Sequence, residues 1–126
     1  MKTDKRILVV DDSNFMLAVA KICLEKVPGW QVLTASSGEE ALTVAETVPD
    51  AILLDIVMPG MDGPTTMEKL RASDVTRNIP IVFFTGTEDP DHRQNLAKLG
   101  AAGLIPKPFD PLTLTSQVRD ALGWKV

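Results

Sequence analysis

The chain has 126 residues, 44% hydrophobic and 24% charged, with a net charge of −4 and a pI near 4.9. That length suffices for one domain with a real core, while the acidic balance argues against a nucleic-acid face, which would need a basic patch. One cysteine, Cys23, excludes an internal disulfide and fits a reducing compartment. No stretch approaches the ~20 apolar residues of a membrane span. The basic start, Met1–Arg6, leads into an apolar run cut short by two aspartates, unlike a signal peptide. The composition therefore predicts a cytoplasmic protein with no direct membrane or nucleic-acid role.

In chain order, apolar runs alternate with helix-period segments, βα repeated five times. Ile7–Val10 ends in Asp11-Asp12. Ser13 then offers an N-cap, and Phe15, Ala18, Val19 and Ile22 recur at helical spacing until Val27-Pro28-Gly29 stops the helix. Cys23 falls on the apolar side of this pattern and reads as a buried structural thiol. Gln31–Ala35 is a short strand, and Ser36-Ser37-Gly38 leads into a helix over Glu39–Val48. After the turn at Pro49-Asp50, Ala51–Leu54 ends in Asp55. The stretch from Met58 to Pro64 is dense in turn residues, and Pro64 suits the first turn of a helix running to about Ala72. Ile81–Phe84 ends in Thr85-Gly86, and Asp89-Pro90 begins a helix ending near Gly100. Gly103–Pro106 ends in Lys107-Pro108, and Asp110-Pro111 begins the last helix, ending at Gly123.

The first, third and fourth runs are almost continuously Val, Ile, Leu or Phe, as in strands covered on both faces. Gln31–Ala35 mixes polar and apolar residues, and Pro106 confines its strand to an edge or bulge. The prediction is an α/β, flavodoxin-like three-layer (βα)5 sandwich with a parallel five-stranded sheet in the order 2-1-3-4-5. Residues 1–126 read as one domain with a core over about 5–122 and no output domain. In such a sheet the strand ends face one crevice, where ligands bind. Asp11, Asp12 and Asp55 would converge there with the Thr85 hydroxyl and the Lys107 ammonium.

Like charges ~4 Å apart repel by roughly 4 kcal/mol at an effective dielectric near 20. Three clustered carboxylates therefore need raised pKa values or a bound cation. Oxygen-only ligands favour a hard ion, and open positions suit Mg²⁺, which keeps waters and shares ligation with phosphate. Lys107 would balance Asp55 and then a transferred phosphoryl group, and a cis Lys107–Pro108 bond would aim it across the strand ends. The Thr85 hydroxyl and the Gly86 amide are good donors to phosphoryl oxygens.

Asp11-Asp12, the stretch from Asp55 to Gly63, Thr85-Gly86 and Lys107-Pro108-Phe109 together closely resemble the receiver domain of two-component response regulators. The resemblance covers Lys5 to Leu122. It implies a phosphorylation-controlled signalling switch rather than a metabolic enzyme. Asp55 would be the phosphoacceptor, charged by a sensor histidine kinase or phosphotransfer protein. Asp11, Asp12, Asp55 and the Val57 carbonyl would hold Mg²⁺, while Thr85 and Lys107 contact the phosphoryl oxygens. A downstream protein would read a changed surface on the fourth helix, fifth strand and fifth helix. Two positions depart from the pattern. Leu104 stands where many receivers carry an aromatic residue, and the chain has no tyrosine at all. Pro106 lacks the N–H that a strand residue would donate, so the fifth strand is expected to be locally altered.

Two other functions compete. An aspartyl-phosphate phosphatase of the haloacid dehalogenase kind needs a second acid two residues after the nucleophile, where this chain has Val57. A phosphorylation-independent pseudo-receiver typically loses site residues, and this chain keeps all five. Outside the crevice, His92 reads as a solvated helix residue and Trp30 as a packing residue. Trp124 reads either as an interface or as a cover for the sheet edge, and Met58 and Met61 as loop packing.

Overall fold

Val, Ile, Leu and Phe fill the central strands because parallel strands buried on both faces have no polar side to show. In the computed structural model, which describes residues 4–86, 90–107 and 109–124, these strands build one parallel sheet in the order β2-β1-β3-β4-β5. The strands are β1 (Lys5–Val10), β2 (Trp30–Ala35), β3 (Ala51–Asp55), β4 (Ile81–Thr85) and β5 (Gly103–Pro106). The helices are α1 (Asn14–Leu24), α2 (Gly38–Val44), α3 (Gly63–Arg71), α4 (Pro90–Lys98) and α5 (Leu114–Leu122). The expectations for His92 and for the Lys107–Pro108 bond concern groups outside the described residues.

The chain reverses direction after β2, and right-handed crossovers then put α1 and α5 on one face and α2, α3 and α4 on the other. Alternate strand residues feed the two resulting cores. Ile7, Val9, Leu53, Val82 and Phe84 pack beneath α1 and α5, with Leu17, Leu24, Leu114 and Val118. Leu8, Val10, Ile52, Leu54 and Phe83 pack on the other side, with Met67, Leu70 and Leu96. Truncating any of these leucines to alanine removes roughly 2–5 kcal/mol.

Three helix readings need correction. In α1 the core face is Leu17, Ala20 and Leu24, whereas Phe15 is 74% and Ile22 63% exposed. Of the four residues expected to face the core, only Val19 packs against it. The second helix ends at Val44 and tightens into a single 3-10 turn, Ala45–Thr47, closed by Val48 at a φ of 55°. The fifth helix starts at Leu114 instead of Pro111. The Asp110 carboxylate accepts the Leu112 N–H (2.9 Å), and its carbonyl accepts those of Thr113 and Leu114. Asp110 thus holds a turn, and the helix begins after it.

Cys23 is half-buried against the α1–α5 core. Trp30 is buried, and Trp124 meets it edge-on at 5.5 Å, so Trp124 covers the end of that core. Met58 is buried against the other core. No helix among the described residues is long and apolar enough to cross a membrane.

Candidate phosphoryl and metal site

Three strands end in charge at the same edge of the sheet. Asp11 follows β1 directly, its N–H bonded to the Ala35 carbonyl (3.1 Å), which continues the β1–β2 ladder one residue past the strand. Its Oδ1 accepts the Ser13 N–H at 2.9 Å, and Ser13 Oγ in turn caps α1 by accepting from the Met16 N–H at 3.3 Å. The turn that starts the helix therefore also fixes the carboxylate. Asp12, between them, is exposed.

Asp55 is the last residue of β3 and only 6% exposed. Its Oδ1 accepts from the Ile56 N–H at 2.9 Å. The chain must then turn sharply, and Gly63 permits it. A side chain at 63 would collide with the Asp55 carbonyl oxygen, while the Gly63 N–H donates to the Ile56 carbonyl at 2.8 Å. Asp62 caps α3 through the Thr65 N–H (2.8 Å), so the loop is held at both ends. Val57, within it, lies 80% exposed at the rim of the crevice.

Lys107 closes the site from β5. Its Nζ lies 2.8 Å from Asp11 Oδ2 and 3.0 Å from Asp55 Oδ1. Two residues on, Phe109 stacks on Phe84 (centroids 5.6 Å apart) and anchors the segment. Thr85 is buried at the end of β4. Its carbonyl accepts the Lys107 N–H at 2.7 Å, and its register partner is Pro106. This is the ordinary parallel-ladder bond, so Pro106 turns its N–H-less nitrogen away from β4 toward the open edge, and the local alteration expected of the fifth strand is not seen in its pairing with β4.

The electrostatics follow from this crowding. Burial, the largest influence, raises the Asp55 pKa; the Lys107 hydrogen bond opposes it, and the Asp11 charge reinforces it. Burial also disfavours the Lys107 ammonium, but hydrogen bonds to Asp11 and Asp55 outweigh it and raise the lysine pKa. The Asp11, Asp12 and Asp55 carboxylates each offer an oxygen within 4.8 Å of the others. Three such groups against one ammonium leave the crevice with excess negative charge. The all-oxygen donor set therefore fits a hard divalent cation. The cleft, about 440 Å³, is lined by Asp12, Asp55, Ile56, Val57, Thr85, Gly86 and Lys107. The structure thus brings Asp11, Asp12, Asp55, Val57, Thr85, Gly86 and Lys107 together at one place.

Sequence reading missed the groups that hold these side chains still. The Ser13 and Ile56 amides, Gly63 and Phe109 all do so. Asp-x-Ser ahead of a helix signals the first of them, whereas the close approach at Gly63 is non-local.

The sequence profile described as response regulator receiver domain matches residues 7–119. Response regulator PleD of Caulobacter vibrioides is 40% identical over 124 residues, covering 96% of this chain and 27% of its own. The Bacillus subtilis alkaline phosphatase synthesis transcriptional regulatory protein PhoP is 37% identical, covering 94% and 49%. The chain thus spans about a quarter to a half of these two relatives. Among solved structures, Vibrio cholerae chemotaxis protein CheY4 superposes with a TM-score of 0.86 at 31% identity, covering 94% of this chain and 99% of that one. With the matched profile running from within β1 into α5, the chain belongs to the response regulator receiver domain family.

Proposed function

We propose that the chain is a phosphorylation-controlled switch in which Asp55 takes a phosphoryl group from a sensor histidine kinase or phosphotransfer protein. The observation that carries this reading is a buried carboxylate held by the Lys107 ammonium (3.0 Å) at the floor of an acidic cleft. Both contacts to Asp55 named above engage Oδ1, which leaves Oδ2 as the attacking oxygen. Attack on phosphorus forms the O–P bond as the N–P bond of a phosphohistidine breaks, and the departing imidazole takes up a proton. Lys107 and the Thr85 hydroxyl would receive the phosphoryl oxygens, with the Gly86 amide beside them. Asp11, Asp12, Asp55 and the Val57 carbonyl would hold Mg²⁺, which when bound neutralises phosphoryl charge. The same geometry serves the later hydrolysis, so the domain assists its own charging and discharge without turning over a metabolite. All five site residues line or close the cleft, and no observation favours a phosphorylation-independent module.

The exposed stripe on α1 suggests where the donor sits. Phe15, Ala18 and Ile22, at i, i+3 and i+7, share one helix face turned away from the core. Phe15 lies three residues after Asp12, so a donor protein that reaches Asp55 must cover the start of this helix. A downstream protein would then read the α4–β5–α5 side. The lone Cys23 thiol agrees with work in the cytoplasm.

Incubation with Mg²⁺ and acetyl phosphate tests the core of the proposal. Intact mass should rise by one phosphoryl group in an acid-stable, base-labile form, and Asp55→Asn should not gain it. No gain in the native chain would overturn the switch.

A further inference from the structure

The outer edge of β2 carries a second device, unrelated to the crevice. Gly29 and Ala35 give their carbonyls to β1, at Lys5 (3.0 Å) and Asp11 (3.1 Å). By the alternation of a parallel ladder, residues 30, 32 and 34 then turn their backbone groups outward. Such an edge is a template for pairing with another strand. The Trp30 N–H is taken by the Val27 carbonyl at 3.1 Å. At Val32, mid-strand, both groups are taken by one ion pair on α1. Its N–H donates to Glu25 Oε2 at 2.9 Å, and Lys21 Nζ donates to its carbonyl at 3.4 Å. Lys21 and Glu25 bond each other at 3.0 Å. An acceptor and a donor set against the N–H and C=O of one residue reproduce what a neighbouring strand would offer.

We propose that Lys21 and Glu25 act as a surrogate strand that closes the β2 edge, and that removing them turns this edge into a strand-addition surface for a second copy of the chain. The partner is a second copy because its own β2 presents the same outward groups at Val32, which a two-fold axis brings into antiparallel register. The other edge needs no such pair. Strand β5 is only four residues long and contains Pro106, both recognised ways of blunting an edge.

The test is the double variant Lys21→Ala/Glu25→Ala. Hydrogen exchange at the Val32 amide should accelerate by about tenfold or more, while the Leu33 amide, which faces β1, keeps its protection. Sedimentation velocity should show a concentration-dependent dimer that keeps native circular dichroism. Glu25→Gln, which retains an acceptor oxygen, should stay monomeric. Unchanged exchange at Val32 overturns the proposal. Fast exchange in a chain that stays monomeric overturns it equally, since an opened edge that pairs with nothing needed no guard. If the double variant unfolds, Glu25→Ala carries the same two measurements.

Discussion

The two ends of the sheet are built on opposite electrostatic terms. At the amino ends of the strands, cations and rings alternate. Lys5 Nζ sits 4.9 Å from the Trp124 ring, Trp124 meets Trp30, and Arg119 lies 5.3 Å from the Trp30 ring. Each group there has a partner that favours it. At the carboxyl ends, Asp11 and Asp55 share one lysine, and burial works against the Asp55 charge. The same strands thus run from an end that secures the fold to an end that holds charge under tension. The binding and chemistry proposed above belong to the second.

The largest way to break this contrast is Asp55→Asn. Phosphoryl incorporation should vanish in intact-mass measurements, yet calorimetry should show a melting temperature equal to or above that of the native chain. Lys107 keeps Asp11 as a partner, and one of two crowded like charges is gone. Lys107→Ala comes next. It leaves both carboxylates facing each other, which should lower stability by about 2 kcal/mol in denaturant titrations and slow charging by acetyl phosphate by about tenfold or more.

Substitutions away from the site should separate fold from function. Phe15→Ala/Ile22→Ala should leave charging by acetyl phosphate unchanged and slow transfer from a protein donor several-fold, at roughly 1–3 kcal/mol for lost interface anchors. Trp124→Ala, at the quiet end, should cost about 1–2 kcal/mol of stability with charging unaffected.

The smallest effect concerns pH. The Val32 N–H, reinforced by Lys21, holds the Glu25 carboxyl below its ordinary value. A depressed carboxylate stabilises the fold above its ordinary pKa, and this contribution disappears as pH falls through the folded value. Glu25→Gln should therefore flatten a slight downward slope in melting temperature below about pH 4.5.

The crevice was legible in sequence because strand ends are short, apolar runs are dense there, and the reactive residues follow without a gap. Helix α1 was not. Phe15 to Ala20 are all apolar, as are Ile22, Cys23 and Leu24, so a 3.6-residue period fits several faces equally well. The face is chosen by tertiary packing, and the residues left outside form the stripe beside the site. The delayed start of α5 was hidden because Asp110-Pro111 reads equally as a helix start and as a turn. Asp110 takes the turn, accepting the Leu112 amide. Gly63 looked like one turn glycine among several, because the Asp55 carbonyl that crowds it lies eight positions back and meets it only once the loop has closed.

The register between β4 and β5 has a mechanical consequence. With Thr85 opposite Pro106, the ladder bonds the backbone N–H of Lys107 to the carbonyl of Thr85 (2.7 Å). The two residues proposed to receive the phosphoryl oxygens are thus bonded to each other through their main chains. Under the proposed function, a displacement of the threonine should carry the lysine with it, so that β4 and β5 answer a load in the crevice as one lever.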